Sequence, residues 1–155
     1  MAETKTVIRD LLVNRRALHE FFVEDRFEAG VVLLGPEVKS LRQGLANLQE
    51  AWVRLDKEGS AWLEGCHISP YREAHRFNPE PTRSRRLLLR ATELAKLQKG
   101  TAEKGLTIIP LRIYLKGRYV KVEIALAKGK KLHDKRATIK DRDARKEMAA
   151  GRRTG

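Results

Sequence analysis

The chain has 155 residues, 41% of them apolar, a length and composition suited to one compact domain that buries roughly 70% of its unfolded surface. Its 33 Lys and Arg outnumber 20 Asp and Glu, giving a net charge of +13 and a pI near 10.2, so its surface draws in polyanions, either nucleic acid or an anionic membrane. Its apolar runs, such as Val31–Leu34 and Leu87–Leu89, fall far short of the ~20 residues of a membrane span.

In chain order, Met1–Arg16 is broken by charges where a secretory signal needs an apolar stretch. Asn14 is placed to cap a short helix over Arg15–His19. Phe22–Leu34 reads as extended, and Pro36–Gly44 as a second helix. Leu48–Ile68 reads as a hairpin with Ala51, Val53 and Leu55 on one face, a turn around Asp56–Gly59, and Trp62 and Leu63 returning. Trp52 and Trp62 are expected in or at the edge of the core, because tryptophan carries a large apolar area. Cys66 is the single cysteine, which excludes an intrachain disulfide and fits a reducing cytoplasm.

Three prolines and a basic cluster between Ser69 and Arg86 mark an exposed loop. Leu88, Ala91, Leu94, Ala95 and Gln98 recur at helical spacing and place a third helix within Leu87–Lys104, ending near Gly100 or Gly105. The strongest strand signal is Thr107–Ala127. Ile109, Leu111, Ile113 and Leu115 alternate with Arg112, Tyr114 and Lys116, and after a turn at Lys116-Gly117, Val120, Val122, Ile124 and Leu126 alternate with Tyr119, Lys121 and Glu123. Short strands at hairpin spacing with few short helices predict a mostly β fold, an OB-like antiparallel β-barrel over residues 1–127.

Beyond Ala127 the composition changes. Residues 128–155 hold eleven Lys and Arg against four Asp and Glu, a surplus of seven positive charges with almost no large apolar side chains. Such a segment cannot offset its ordering entropy by burial, so it is expected to be a tail disordered when free; its Ala, Lys, Arg and Glu favour helix once docked.

Catalysis has little to build on. His19, His67, His75 and His133 are scattered without metal-ligand spacing, and no phosphate-binding loop or nucleophile elbow is present. A metal-dependent nuclease would have to assemble carboxylates such as Glu28, Glu37 and Asp134 from distant positions. Binding chemistry is better supplied. Lys128–Arg136, KGKKLHDKR, combines cations for phosphates with the flat ring of His133, although such a run is also what a solvated tail looks like. Tyr114 and Tyr119 with Arg112, Arg118 and Lys121 would make an outward stacking platform, or simply an exposed strand face. Glu28 could accept hydrogen bonds from base amino groups.

The blocks NRRALHEFFVEDRFEAGVVLLGPEVKSLRQGLANL, PTRSRRLLLRATEL and LAKGKKLHDKR resemble the SsrA-binding (small protein B) family, the protein partners of transfer-messenger RNA, in order and spacing from Asn14 to Asp143. The resemblance implies an adaptor without cofactor, metal or catalytic residues. Such an adaptor would be cytoplasmic and monomeric, grip the tRNA-like domain of transfer-messenger RNA with its barrel, and enter stalled ribosomes for rescue. Carried over by motif, His19, Glu28, Lys39, Arg42, Leu88 and Arg90 would be the barrel's RNA-binding residues. Lys128, Gly129, Lys130, Lys131, His133, Asp134, Lys135 and Arg136 would be the tail's contacts in the empty message channel near the decoding centre. Three positions depart from the family pattern: Pro36 before the EVKS block, Arg90 where Asn or His is common, and Ala144 in place of Trp. A resident ribosomal component would satisfy the same composition, and its stoichiometry with ribosomes would set it apart.

Overall fold

The computed structural model describes Val7–Lys130. The assignments made to Lys131, His133, Asp134, Lys135, Arg136 and Ala144, and the tail beyond Lys130, lie outside the described residues. The elements in order are β1 (Ile8–Val13), α1 (Arg15–Glu20), β2 (Phe21–Val31), α2 (Gly35–Arg42), β3 (Ala46–Asn47), β4 (Trp52–Leu55), β5 (Ala61–Glu64) and β6 (His67–Ile68). A 3-10 turn (Arg72–Phe77), β7 (Arg85–Leu88), α3 (Ala91–Glu103), β8 (Thr107–Lys116) and β9 (Tyr119–Gly129) follow.

All strand pairings are antiparallel. They run β8, β4, β5, β7, β2, β9 and back to β8, which closes the sheet into a ring. The free edge that would invite association is thereby removed around that ring. One edge of β8 is shared: Ile108 pairs with Val53 of β4, while Arg112–Lys116 pair with β1. The interior is filled by Leu63, Ile108, Ile113, Val122, Ile124 and their neighbours, with Leu41 of α2 and Leu97 of α3 closing it. Alternation along β9 does fall as its sequence predicts, with Val122, Ile124 and Leu126 inward.

On β8 the expected alternation breaks. Pro110 pairs with Ile124 and Arg112 with Glu123, leaving Leu111 as an extra residue, and such a bulge exchanges the faces beyond it. Ile113 therefore faces the barrel, whereas Ile109 and Leu111 lie on the opposite side in a small second cluster with Ala17, Ala125 and Ala127 beneath α1. The hairpin turn is Gly117-Arg118, one residue later than expected, because Lys116 pairs with Tyr119. Gly117 has φ +62 and Arg118 has no positive φ, the pattern of a two-residue turn that opens on glycine.

Other expectations are corrected by packing. Asn14 does cap α1, accepting from the Ala17 N–H at 3.3 Å, but it is itself buried and donates to the Pro110 carbonyl at 3.0 Å, pinning the helix to β8. The third helix starts at Ala91 and not at Leu88, which belongs to β7. It passes through Gly100, where a Cβ would meet Leu126 Cδ1 at 2.7 Å, so glycine permits this close helix-to-strand approach. Trp52 is 46% exposed, outside the core. Trp62 is half-buried and donates to Asp56 at 2.9 Å.

The segment between Ser69 and Arg86 is not a simple exposed loop. Arg85 is fully buried; it donates to Glu37 at 2.7 Å, to the Cys66 carbonyl at 2.6 Å and to the Pro81 carbonyl at 2.8 Å. Arg83 meets the same Glu37 carboxylate at 2.5 and 3.0 Å. Glu37 also accepts from the Leu34 N–H at the start of α2, where Pro36 costs no helical hydrogen bond. Burial pushes the Glu37 carboxyl up, but Arg83, the Leu34 N–H and Arg85 outweigh it and hold it below its ordinary range.

Candidate nucleic-acid interface

The outer face of β2 carries Glu28 and, two residues on, Gly30, which a strand's period of two puts on the same side. Gly30 pairs with Leu88 of β7 on one flank and Lys121 of β9 on the other. With no side chain at Gly30, the sheet surface is left open between them; a Cβ there would lie 3.3 Å from Leu88 Cβ. The result is a cleft of about 510 Å³ lined by Glu28, Gly30, Leu88, Leu89, Arg90, Glu93 and Lys121. Leu88 is 53% exposed, an apolar platform in the cleft wall.

Glu28 is oriented from below. The Tyr114 hydroxyl donates to one carboxylate oxygen, and Lys116 Nζ lies 3.1 Å from the other. The Tyr114 bond holds the Glu28 carboxyl below its ordinary range against a smaller opposing push from burial, with help from Lys116 and Lys121. Burial in turn pushes the Tyr114 phenol up, and its bond to Glu28 adds to that. At neutral pH the cleft thus presents a fixed acceptor, an apolar wall, and the cations Arg90 and Lys121. A carboxylate accepts from base amino groups, an apolar side chain packs on a base face, and Lys or Arg neutralises phosphate.

Three of the proposed barrel residues, Glu28, Leu88 and Arg90, are therefore brought together. Arg90 is exposed at the cap of α3, where its own N–H donates to Glu93 at 3.0 Å. His19 is not in this cleft. It is exposed in the last turn of α1, and Phe21 is separated from Glu28 by roughly 20 Å of strand. Its neighbourhood is the end of β9, where Gly129 pairs with Phe21, Lys128 with Phe22, and the Lys130 N–H donates to the Glu20 carbonyl at 2.8 Å. The first two residues assigned to the tail, Lys128 and Gly129, are thus strand residues of the barrel. Lys130 reaches over the Phe22 ring at 4.6 Å. Lys39 and Arg42 are exposed on α2, a third location, where Lys39 Nζ sits 5.2 Å from the centre of the Tyr71 ring.

The expected stacking platform on the hairpin is only half available. Tyr114 is 2% exposed and engaged with Glu28, and Arg112 is held by Asp10 at 2.6 Å and Glu123 at 3.6 Å. Tyr119 is exposed with Arg118 beside its ring. Of the carboxylates considered for a nuclease, Glu37 is committed to two arginines and Glu28 to Tyr114 and Lys116, and Asp134 lies outside the described residues. Among the described residues no group of three or more His, Cys, Asp or Glu side chains is placed to hold a metal ion. No helix among them is long and apolar enough to cross a membrane. Sequence reasoning missed Gly30 in the cleft and Tyr114 and Lys116 as the partners of Glu28; the spacing Glu28-x-Gly30 on a strand was the available signal.

A small closed antiparallel barrel whose outer face carries a mixed carboxylate, apolar and cationic cleft defines an OB-like nucleic-acid-binding module. The SmpB protein family matches residues 11–154, and the chain belongs to that family. It is 52% identical over 140 residues to the SsrA-binding protein of Desulforudis audaxviator (strain MP104C), covering 90% of this chain and 91% of that protein. Against the SsrA-binding protein of Symbiobacterium thermophilum it is 50% identical over 151 residues, covering 96% and 94%. A solved structure described as "tmRNA-SmpB: a journey to the center of the bacterial ribosome" superposes with a TM-score of 0.67 at 40% identity, covering 82% of this chain and 93% of that one.

Proposed function

We propose that this chain is an RNA-binding adaptor that binds the tRNA-like domain of transfer-messenger RNA and delivers it to stalled ribosomes for rescue by trans-translation. It acts in the cytoplasm and without catalysis of its own. The observation that carries the reading is the joining of Glu28, Leu88 and Arg90 in one cleft on the barrel of an SmpB-family chain. The relatives' name and the ribosome-bound neighbour supply the RNA and the destination. In this division of labour the barrel grips the RNA, and the segment that follows Lys130 probes the empty message channel through Lys131, His133, Asp134, Lys135 and Arg136.

Ending the chain after Lys130 tests both halves, since that point keeps β9 and its bond to Glu20 intact. The shortened chain should bind isolated transfer-messenger RNA nearly as the full chain does and lose tagging on stalled ribosomes. Full tagging by the shortened chain would overturn the role given to the tail. Equal affinity of the full chain for transfer-messenger RNA and for random RNA of the same length would overturn specific recognition by the barrel.

A further inference from the structure

The β4–β5 hairpin turns an aromatic face to solvent. Val53 and Leu63 point into the core, which leaves Trp52, Arg54, Trp62 and Glu64 on the outer side, with Trp52 across from Glu64 and Arg54 across from Trp62. Trp52 is 46% exposed. The other exposed rings, Phe22, Phe77 and Tyr119, each carry a cation, Lys130, Arg76 and Arg118, at 4.6, 5.3 and 5.9 Å from the ring centre. Tryptophan is the side chain that holds a cation best, yet Trp52 has none over it among the described residues. Arg54 is spent elsewhere: its guanidinium lies over Trp62 and donates to Glu64 at 3.0 Å.

The charge beside Trp52 is opposite in sign to that of the whole chain. Residues 50–64 hold four Asp and Glu against two Lys and Arg, a surplus of two negative charges in a chain of net +13. Glu50, two residues before Trp52, has a side chain 81% exposed. Such a face repels a polyanion and attracts a cation. A cationic segment within reach is the chain's own. The Lys130 N–H donates to the Glu20 carbonyl at 2.8 Å, and Arg16 bridges the Glu20 carboxylate at 2.6 Å to that of Glu50 at 2.9 Å. The end of β9 and Glu50 are thus linked through one arginine. Residues 131–136, KLHDKR, carry three Lys and Arg against one Asp, and six residues extend up to ~20 Å. Residues 131–155 hold nine Lys and Arg against four Asp and Glu.

We propose that in the free protein residues 131–136 rest on the outer face of the β4–β5 hairpin, with one cation over the Trp52 ring and another beside Glu50. Lys130 on Phe22 is the preceding cation of the same run making the same kind of contact. Charge and ring contact hold the segment there in place of apolar burial, so it needs no fold of its own to dock. The docking is weak and salt-sensitive. It hides these cations from random RNA until a polyanion that binds them better draws them off. It holds whether or not the released segment goes on to act in the message channel.

The test uses the full chain with a nitroxide spin label beyond Lys130. Cys66 is fully buried, and burial pushes its thiol up to about 11, so in Ala137→Cys the label attaches to the new cysteine alone. At low salt the label should broaden the Trp52 indole resonance, and about 0.5 M salt should abolish the effect. Glu50→Lys should reduce it roughly twofold or more. Absence of broadening at low salt overturns the docking. So does broadening seen when the labelled chain is mixed with an unlabelled, isotope-enriched one, which would assign the contact to a second copy. In a separate titration, Trp52→Ala should bind a random oligoribonucleotide about two- to fivefold more tightly than the wild type, because the freed cations reach phosphate. Unchanged binding overturns the masking, and so does a loss, which would put Trp52 itself on RNA. The spin-label measurement leaves the barrel unaltered, so it decides even where Trp52→Ala is less stable.

Discussion

Glu28 and Glu37 stand nine positions apart in the sequence, and each carboxylate is gripped by two side chains and held below its ordinary range. Exposure separates them. Glu37 is 2% exposed and its partner Arg85 is fully buried, so neither charge has water to fall back on, and every lone pair and N–H must find protein. The Glu28 side chain is 38% exposed. Solvent screens its attraction to Lys116, and its partners orient it more than they stabilise the fold. The same carboxylate chemistry becomes a clasp where it is desolvated and an open hydrogen-bond acceptor where it is wet.

The comparison would break first at the clasp. Glu37→Ala should leave Arg85 buried without its counterion and cost about 3–5 kcal/mol of stability, read as a lower urea midpoint. Replacing Glu37 and Arg85 together by Met should recover much of that. A cost below about 1 kcal/mol for Glu37→Ala would mean that the clasp is open to water. Because the Glu37 carboxyl is depressed on folding, its stabilising effect is complete above the unfolded value near pH 4.3 and disappears as pH falls through the lower folded value. Wild-type stability should therefore decline below about pH 4.3, and Glu37→Gln should show a weaker decline.

Glu28, in the role proposed for it, should show the reverse pattern. Glu28→Gln should leave stability within about 0.5 kcal/mol but weaken binding to transfer-messenger RNA roughly tenfold in a titration at fixed salt. Smaller again, Tyr114→Phe should cost about 1 kcal/mol through the lost hydrogen bond. It should also let the Glu28 carboxyl rise, so that RNA binding fails at a higher pH on the acid side than in the wild type. An identical acid limb in both proteins would remove Tyr114 from the positioning of Glu28. The smallest change is a gain: His75→Gly should relieve the positive φ of His75, +50, and stabilise by about 1 kcal/mol, raising the melting temperature by about 2–4 °C.

The mostly β fold, the Asn14 cap and both hairpins were legible because periodicity and turn residues are local signals. Bulges are not, since an extra residue such as Leu111 alters no composition, and it moved Ile109 and Leu111 to the far face. The burial of Arg85 was hidden for a related reason: nothing near it in sequence says that Glu37, 48 residues earlier, will meet it. Glu28, Leu88 and Arg90 were found through motif resemblance. Gly30, which opens the cleft, and Tyr114 and Lys116, which aim the Glu28 carboxylate, become visible only when β2, β7, β8 and β9 are set side by side.

The tie from Asn14 to Pro110 spans 96 residues, and that from Arg112 to Asp10 spans 102, whereas β8 and β9 are joined by two residues. Closing long loops costs entropy that short ones avoid. The β8–β9 hairpin is therefore expected in the folding nucleus, with β1 and α1 docking on it late. Asn14→Ala should then quicken unfolding while barely slowing refolding. The helix that carries His19, beside the end of β9, would be the first part of this region to let go.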